Sequence, residues 1–152
     1  MLPSINSVLP PLKILFRKLH PLAQTPTRAR DGDAGFDLVA TTMTHEHEKL
    51  LHVYGTGIAV EIPAGYFGAI FQRGSVKDLG VMLANCVGVI DAGYRGEIIF
   101  NFRYGWGGNT AYNVGERIGQ LLILPVPQVE FEEVESLSDT QRGQGGFGST
   151  GA

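Results

Sequence analysis

The chain has 152 residues, 21 of them glycine, with 12 Lys+Arg against 15 Asp+Glu and a formal net charge of −3. Glycine without a three-residue period excludes a collagen helix, and 43% apolar content at so small a net charge excludes a disordered chain. The same balance argues against a nucleic-acid surface, which needs a basic excess, and leaves one domain able to bury a core, its glycines serving turns or close backbone approach.

In chain order, residues 1–12 are proline-rich and aperiodic and read as an extension outside the core. Residues 33–38 place Asp33 and Asp37 on either side of a small-residue turn that enters a strand. Taken alone, the pair reads best as a surface turn, where Asp is favoured for its local hydrogen bonds. His45 and His47 have the spacing of two metal ligands on one strand face, yet with no third ligand nearby a solvated loop is the better reading. Ile58, Val60 and Ile62 alternate with Ala59 and Glu61, and a turn at 63–65 separates them from a strand over 66–72. Arg73, Gly74 and Ser75 follow at its end, with one short helical turn near 75–79.

Residues 88–97 read as a β-hairpin with an Ala92-Gly93 corner. Asp91 at its tip is a candidate general base, Tyr94 is a flat platform for a sugar or base, and the small residues around Gly88 admit a ligand closely. The next strand alternates Ile98, Phe100, Phe102 and Tyr104 with Glu97, Ile99, Asn101 and Arg103. The loop 105–113 is assigned no role. Residues 115–120 present Gln120 and open the run 121–124, apolar on both faces as a strand at the centre of a domain should be. Val129 and Phe131 alternate with polar neighbours as one more strand. No helical period lasts three turns, so many short strands with glycine turns point to an all-β barrel or jelly roll.

Residues 136–152 are glycine-rich, and composition favours a disordered tail. Gly143, Gly145 and Gly148 fit a dinucleotide-binding spacing, but no helix or acidic residue follows them, and no lysine for a phosphate loop. What remains is Arg142, backbone N–H donors, Ser149 and Thr150, with Phe147 to stack on a base. These are the parts of a phosphate clamp on a mobile arm, and spacing leaves clamp and plain tail equal. Cys86, the single cysteine, excludes an internal disulfide and fits a reducing compartment; it reads as a small buried residue as readily as a redox group. No apolar run reaches membrane-spanning length, and prolines and charges interrupt the N-terminus where a signal peptide needs an apolar stretch. The expectation is a soluble, cytoplasmic chain that is not secreted.

Five segments, DAGFDL at 33–38, RGSVK at 73–77, GVIDAGYRGE at 88–97, GERIGQ at 115–120 and RGQGGFGSTG at 142–151, resemble in order the five motifs of the trimeric deoxyuridine triphosphatase (dUTPase) family. The resemblance covers residues 13–152. It implies an all-β, distorted jelly-roll β-barrel at 13–135, preceded by an extension at 1–12 and followed by a glycine-rich arm at 136–152 that closes the active site. The arm would be exchanged between the subunits of a homotrimer. The implied activity is hydrolysis of dUTP to dUMP and pyrophosphate with Mg²⁺, which lowers dUTP and supplies dUMP for dTMP synthesis.

In that reading Asp91 activates the water that attacks the α-phosphate. Asn85 and the backbone of Gly88, Val89 and Ile90 read the uracil edge, Ile99 adds to the same pocket, and Tyr94 stacks under the deoxyribose and excludes a 2′-OH. Arg73, Gly74, Ser75 and Gln120 hold phosphates. Arg142, Ser149 and Thr150 meet the γ-phosphate, while Phe147, beside Gly148, covers the uracil. Asp37 supports Mg²⁺ through water, the ion being held mainly by the substrate. Neither nucleic acid nor a membrane is a partner. The sequence departs from the family in Gln72-Arg73-Gly74-Ser75, where Pro-Arg-Ser-Gly or Pro-Arg-Ser-Ser is usual, in Ala92-Gly93, where Ser-Asp is preferred, and in Gly119 for Ala, a change expected to be mild. The alternatives are a nucleotide-dependent regulatory protein with a protein partner at 1–12 or 105–113 and, less favoured, a dCTP deaminase, which lacks the glycine-rich arm.

Overall fold

A computed structural model describes residues 11–105 and 111–146. Among these, the strands are β1 (Leu15–Lys18), β2 (Phe36–Val39), β3 (Thr42–Glu46), β4 (Leu51–Gly55), β5 (Ile58–Glu61), β6 (Tyr66–Gln72), β7 (Val81–Leu83), β8 (Gly88–Ile90), β9 (Ile99–Tyr104) and β10 (Arg117–Pro125). Short 3-10 turns occupy His47–Lys49 and Gly74–Asp78, the second where one helical turn is expected. Two four-stranded antiparallel sheets, β2-β10-β6-β8 and β3-β4-β9-β7, lie beside a ribbon of β1 and β5. Consecutive strands mostly belong to different sheets, which makes the all-β architecture a jelly roll rather than a meander.

Side chains from both sheets meet in one core built on Leu38, Ile58, Ile70, Leu83, Ile98, Phe100, Phe102, Ile118 and Leu121. The period-two alternation of β9 delivers Phe100 and Phe102 to it and leaves Ile99, Asn101 and Arg103 outside. β10 lies between β2 and β6, which explains why its middle is apolar on both faces. Tyr54, wholly buried, packs edge-on to Phe102 and Tyr112 and donates to the Tyr112 carbonyl at 3.0 Å. Burial pushes its phenol up to about 12.

Gly119 is where the core is tightest. A Cβ there would run into the Phe100 ring and stand 2.9 Å from the Phe71 carbonyl oxygen. The glycine is therefore matched to Phe100, and alanine at this position would overpack this core. The substitution read as mild from the sequence is a fitted contact in this chain.

Three expectations are corrected. Residues 88–97 are not a β-hairpin, because β8 pairs with β6 in one sheet and β9 with β4 and β7 in the other. The Asp91–Tyr94 turn does close, Tyr94 N–H to Asp91 C=O at 3.0 Å, but the chain then crosses between sheets instead of folding back. Residues 128–132 form no strand: no sheet edge receives them, and Val129 and Phe131 are 72% and 96% exposed. Cys86 is exposed rather than buried, at a left-handed φ of 59°. No described helix is long and apolar enough to cross a membrane.

His45 and His47 belong to a hairpin rather than a loop, and they cluster with His52. That ring is 1% exposed, lies on Tyr104, and has its Nδ1 2.8 Å from Nδ1 of His45. Its Nε2 has no hydrogen-bond partner among the described residues. Burial, then the charges of His45 and His47, lower its pKa from the ordinary 6.5. Below that value the unfolded chain binds a proton that the folded chain refuses, so acid favours unfolding, by about 1.4 kcal/mol per pH unit at most. The thermal midpoint should fall from about pH 7.5 to about pH 5.5. His52→Phe should flatten that slope in a differential-scanning experiment; an unchanged slope would assign the pH dependence to other groups.

Candidate active site

The strand β8 is the outer strand of its sheet, so one side of its backbone is unpaired and free to hydrogen-bond a ligand. That edge opens on a cavity of about 200 Å³. Asn85, Gly88, Val89, Ile90, Asp91, Tyr94 and Ile99 line it, so the expected nucleoside residues of the barrel itself stand at one place. The walls are apolar where Val89 and Ile99 stand exposed, at 62% and 43%. Asp91 is an exposed carboxylate at the rim.

Tyr94 is held in a fixed pose. Its hydroxyl donates to the Glu97 carbonyl at 3.0 Å, and its ring folds over Gly96 so closely that a Cβ there would overlap it. The ring is thus braced by contacts within the chain. Two lining residues escaped the sequence reading, Ile70 and Glu97. Ile70 pairs with Gly88 across the ladder, a contact only strand order reveals. The Glu97 carboxylate accepts from Gly57 N–H at 2.6 Å, so it ties the crossover to the start of β5.

The second group assembles where β2, β6 and β10 end. Asp37 and Gln120 lie directly opposite each other in the β2–β10 register, next to a register shift between Arg117 and Gly119. Such a shift re-aims side chains. Here Arg117 and Arg73 both reach Asp37, with Nη1 of Arg117 at 3.0 Å and Nε of Arg73 at 3.3 Å on separate carboxylate oxygens. Arg73 and Arg117 then line a cavity of about 480 Å³ with Ser75, Glu116 and Tyr112. Gly74 begins the 3-10 turn with open space where a side chain would be. The Ser75 and Tyr112 hydroxyls are 3.4 Å apart at that wall.

Sequence reasoning took Gln120 from residues 115–120 and passed over Arg117; a cation four residues from strand centre in a glycine-flanked turn was the available signal. Tyr112 lies in the stretch that was given no role, and only packing exposes its place. Gln72, at the position where proline was expected, accepts the Leu83 N–H at 2.9 Å through its side chain, stitching β6 to β7 just before Arg73. Arg142 lies on the exposed segment after β10, its Nε donating to the Gly145 carbonyl at 3.0 Å in a local turn. Phe147, Gly148, Ser149 and Thr150 lie outside the described residues.

A divalent ion fits this donor set only in one manner. Both Asp37 oxygens are engaged by arginines, and no group of three or more His, Cys, Asp or Glu side chains converges among the described residues. The described side chains of this group therefore do not by themselves surround a cation, and a divalent ion here would need oxygen ligands from elsewhere.

Residues 22–151 match the dUTPase family model. The chain is 42% identical over 149 residues to a deoxyuridine 5'-triphosphate nucleotidohydrolase of Rhodococcus erythropolis, covering 92% of this chain and 87% of that protein. It is 44% identical over 133 residues to the protein of the same name from Tropheryma whipplei, covering 84% and 88%. Among solved structures, a Staphylococcus bacteriophage 80alpha dUTPase variant with dUpNHpp is similar at a TM-score of 0.78 and 27% identity, over 92% of this chain and 99% of that one. A dUTPase variant from phage phi11 of S. aureus, described with the coordination of a structural Mg(II) ion, is similar at 0.68 and 26%, over 82% and 97%.

Proposed function

The chain belongs to the dUTPase family and is a hydrolase of dUTP, and we propose the following division of labour among its residues. The nucleoside enters the cavity beside β8. Asn85 and the free edge of Gly88–Ile90 satisfy the hydrogen-bonding edge of uracil, as a pairing base would, with Val89 and Ile99 against its faces. The braced Tyr94 ring carries the deoxyribose and leaves no room for a 2′-hydroxyl. Asp91 takes the proton of a water that attacks the α-phosphorus, and dUMP and pyrophosphate depart.

Arg73, Gly74, Ser75 and Gln120 hold the phosphates, with Arg117 added to the set; Arg73, Ser75 and Arg117 line the second cavity, and Gly74 and Gln120 stand beside those residues in the chain and the β2–β10 register. A Mg²⁺ ion bound by the triphosphate, with Asp37 reaching it through water, would neutralise charge on the transferring group. No described residue lines both cavities, and in this reading the site is completed in a homotrimer, where the nucleoside cavity of one subunit meets the phosphate residues of a neighbour. The arm at 136–152 would then close over the pair, Arg142, Ser149 and Thr150 at the γ-phosphate and Phe147, beside Gly148, over the base. We place the activity in the cytoplasm, where nucleotide pools lie.

The observation that carries this reading is the convergence of Asn85, β8, Asp91 and Tyr94 on one cavity. Its test is pyrophosphate release with Mg²⁺ from dUTP, dCTP, dTTP and UTP beside a mass measurement of the oligomer. Rapid release from dUTP alone is expected, by about 100-fold or more over the others. Comparable release from UTP would remove the role given to Tyr94, and turnover of dCTP in place of dUTP would reverse the reading of the base edge.

A further inference from the structure

We propose that Arg95 is a positioning residue that holds the Asp91 turn in its working geometry, an inference that rests on the reading of Asp91 as the base. The carboxylate stands on a crossover between two sheets, where no ladder bonds fix the backbone. The turn has one internal backbone bond, from Tyr94 N–H to Asp91 C=O. Its other two carbonyls in reach converge on one guanidinium: Nη1 of Arg95 donates to Ala92 C=O at 2.7 Å and to Tyr94 C=O at 3.0 Å. One cationic group that binds two carbonyls of a four-residue turn ties together the peptide planes on which Asp91 and Tyr94 ride.

The same side chain looks away from the nucleotide. Arg95 does not line the nucleoside cavity; it lines a separate shallow cleft with Phe16, Arg17 and Glu61 of the β1–β5 ribbon. Its Nε is 4.0 Å from the Glu61 carboxylate at the end of β5. The guanidinium therefore works from behind the turn, beside a ribbon that belongs to neither large sheet. Both carbonyls are served by Nη1 while Nε faces Glu61, whereas lysine has one nitrogen for all three groups and no rigid plane to hold them in that arrangement. With Arg95 removed, the small Ala92-Gly93 corner keeps only one internal bond, and Asp91 samples poses displaced from the water it must polarise.

Steady-state kinetics on dUTP test this with Arg95→Ala, Arg95→Lys, Asp91→Asn and the Arg95→Ala/Asp91→Asn pair. A misplacement of about an ångström costs about 100-fold, so Arg95→Ala should lower kcat by about 10- to 100-fold, with KM within about threefold. Arg95→Lys should fall between, and added guanidinium ion should restore part of the Arg95→Ala rate. In the Asp91→Asn background Arg95→Ala should cost no more than about twofold, because the group it positions is gone. Unchanged kcat in folded, assembled Arg95→Ala overturns the proposal, as does an undiminished loss in the Asp91→Asn background. Full turnover by Asp91→Asn alone would instead overturn the reading of the base, so the two failures are distinct. If Arg95→Ala does not fold, Arg95→Lys carries the same cycle, and a loss confined to KM would overturn the proposal.

Discussion

Asp91→Asn should lower kcat for dUTP by about 10²- to 10⁴-fold while the affinity for dUpNHpp stays within about threefold. The substitution keeps the shape of the side chain and its place at the cavity rim, and it removes only the capacity to take a proton. Calorimetric binding of the imido analogue beside single-turnover hydrolysis separates the two effects. Unchanged turnover would move the base elsewhere, and Glu97 is the other carboxylate in that cavity. Its existing bond to Gly57 N–H makes it a poor replacement, since a proton acceptor committed to the backbone has less to offer water.

Deletion of residues 140–152 should reduce kcat/KM for dUTP by about 100-fold or more, with the oligomer mass and the thermal midpoint unchanged. The body of the fold supports the second half of this expectation. Among the described residues the last strand ends at Pro125, the fully buried core reaches no further than Leu121, and residues 126–144 are exposed throughout. The described part of the arm therefore contributes little packing. The first half rests on the chemistry of what is lost, which includes the Arg142 guanidinium, the Ser149 and Thr150 hydroxyls and the Phe147 ring. Normal rates from the truncated chain would return the segment to a plain tail.

The strands were legible in the sequence wherever one face is buried and the other wet. β9 alternates cleanly, whereas β5, whose sequence alternates, buries Ala59 along with Ile58 and Val60; β10 declares its central place by being apolar on both faces. Alternation misled at Val129 and Phe131 because a strand pattern needs a partner edge, and pairing is decided far away in the chain. The supposed hairpin at 88–97 failed for a related cause. A two-residue corner fits a hairpin and a crossover alike, and only the destinations of β8 and β9 distinguish them. Within the candidate site, Asn85, Asp91, Tyr94, Arg73 and Ser75 could be singled out from the sequence, whereas Ile70 and Tyr112 join the cavities through register and packing, and Arg117 is aimed at Asp37 by a register shift. Gly119 shows the limit most sharply, since its meaning depends on the ring of Phe100, nineteen residues upstream.

The crossing at 91–97 sets the terms on which this protein can vary. A base carried within a ladder inherits its position from strand register, which moves only in whole steps. Here the Asp91 carboxylate rides on a bridge between two sheets, outside either ladder. The far end of that bridge delivers Ile98 and Phe100, both wholly buried, to the core. Close-packed interiors transmit strain, so a change of volume at either residue acts on the landing of the crossing as well as on the core.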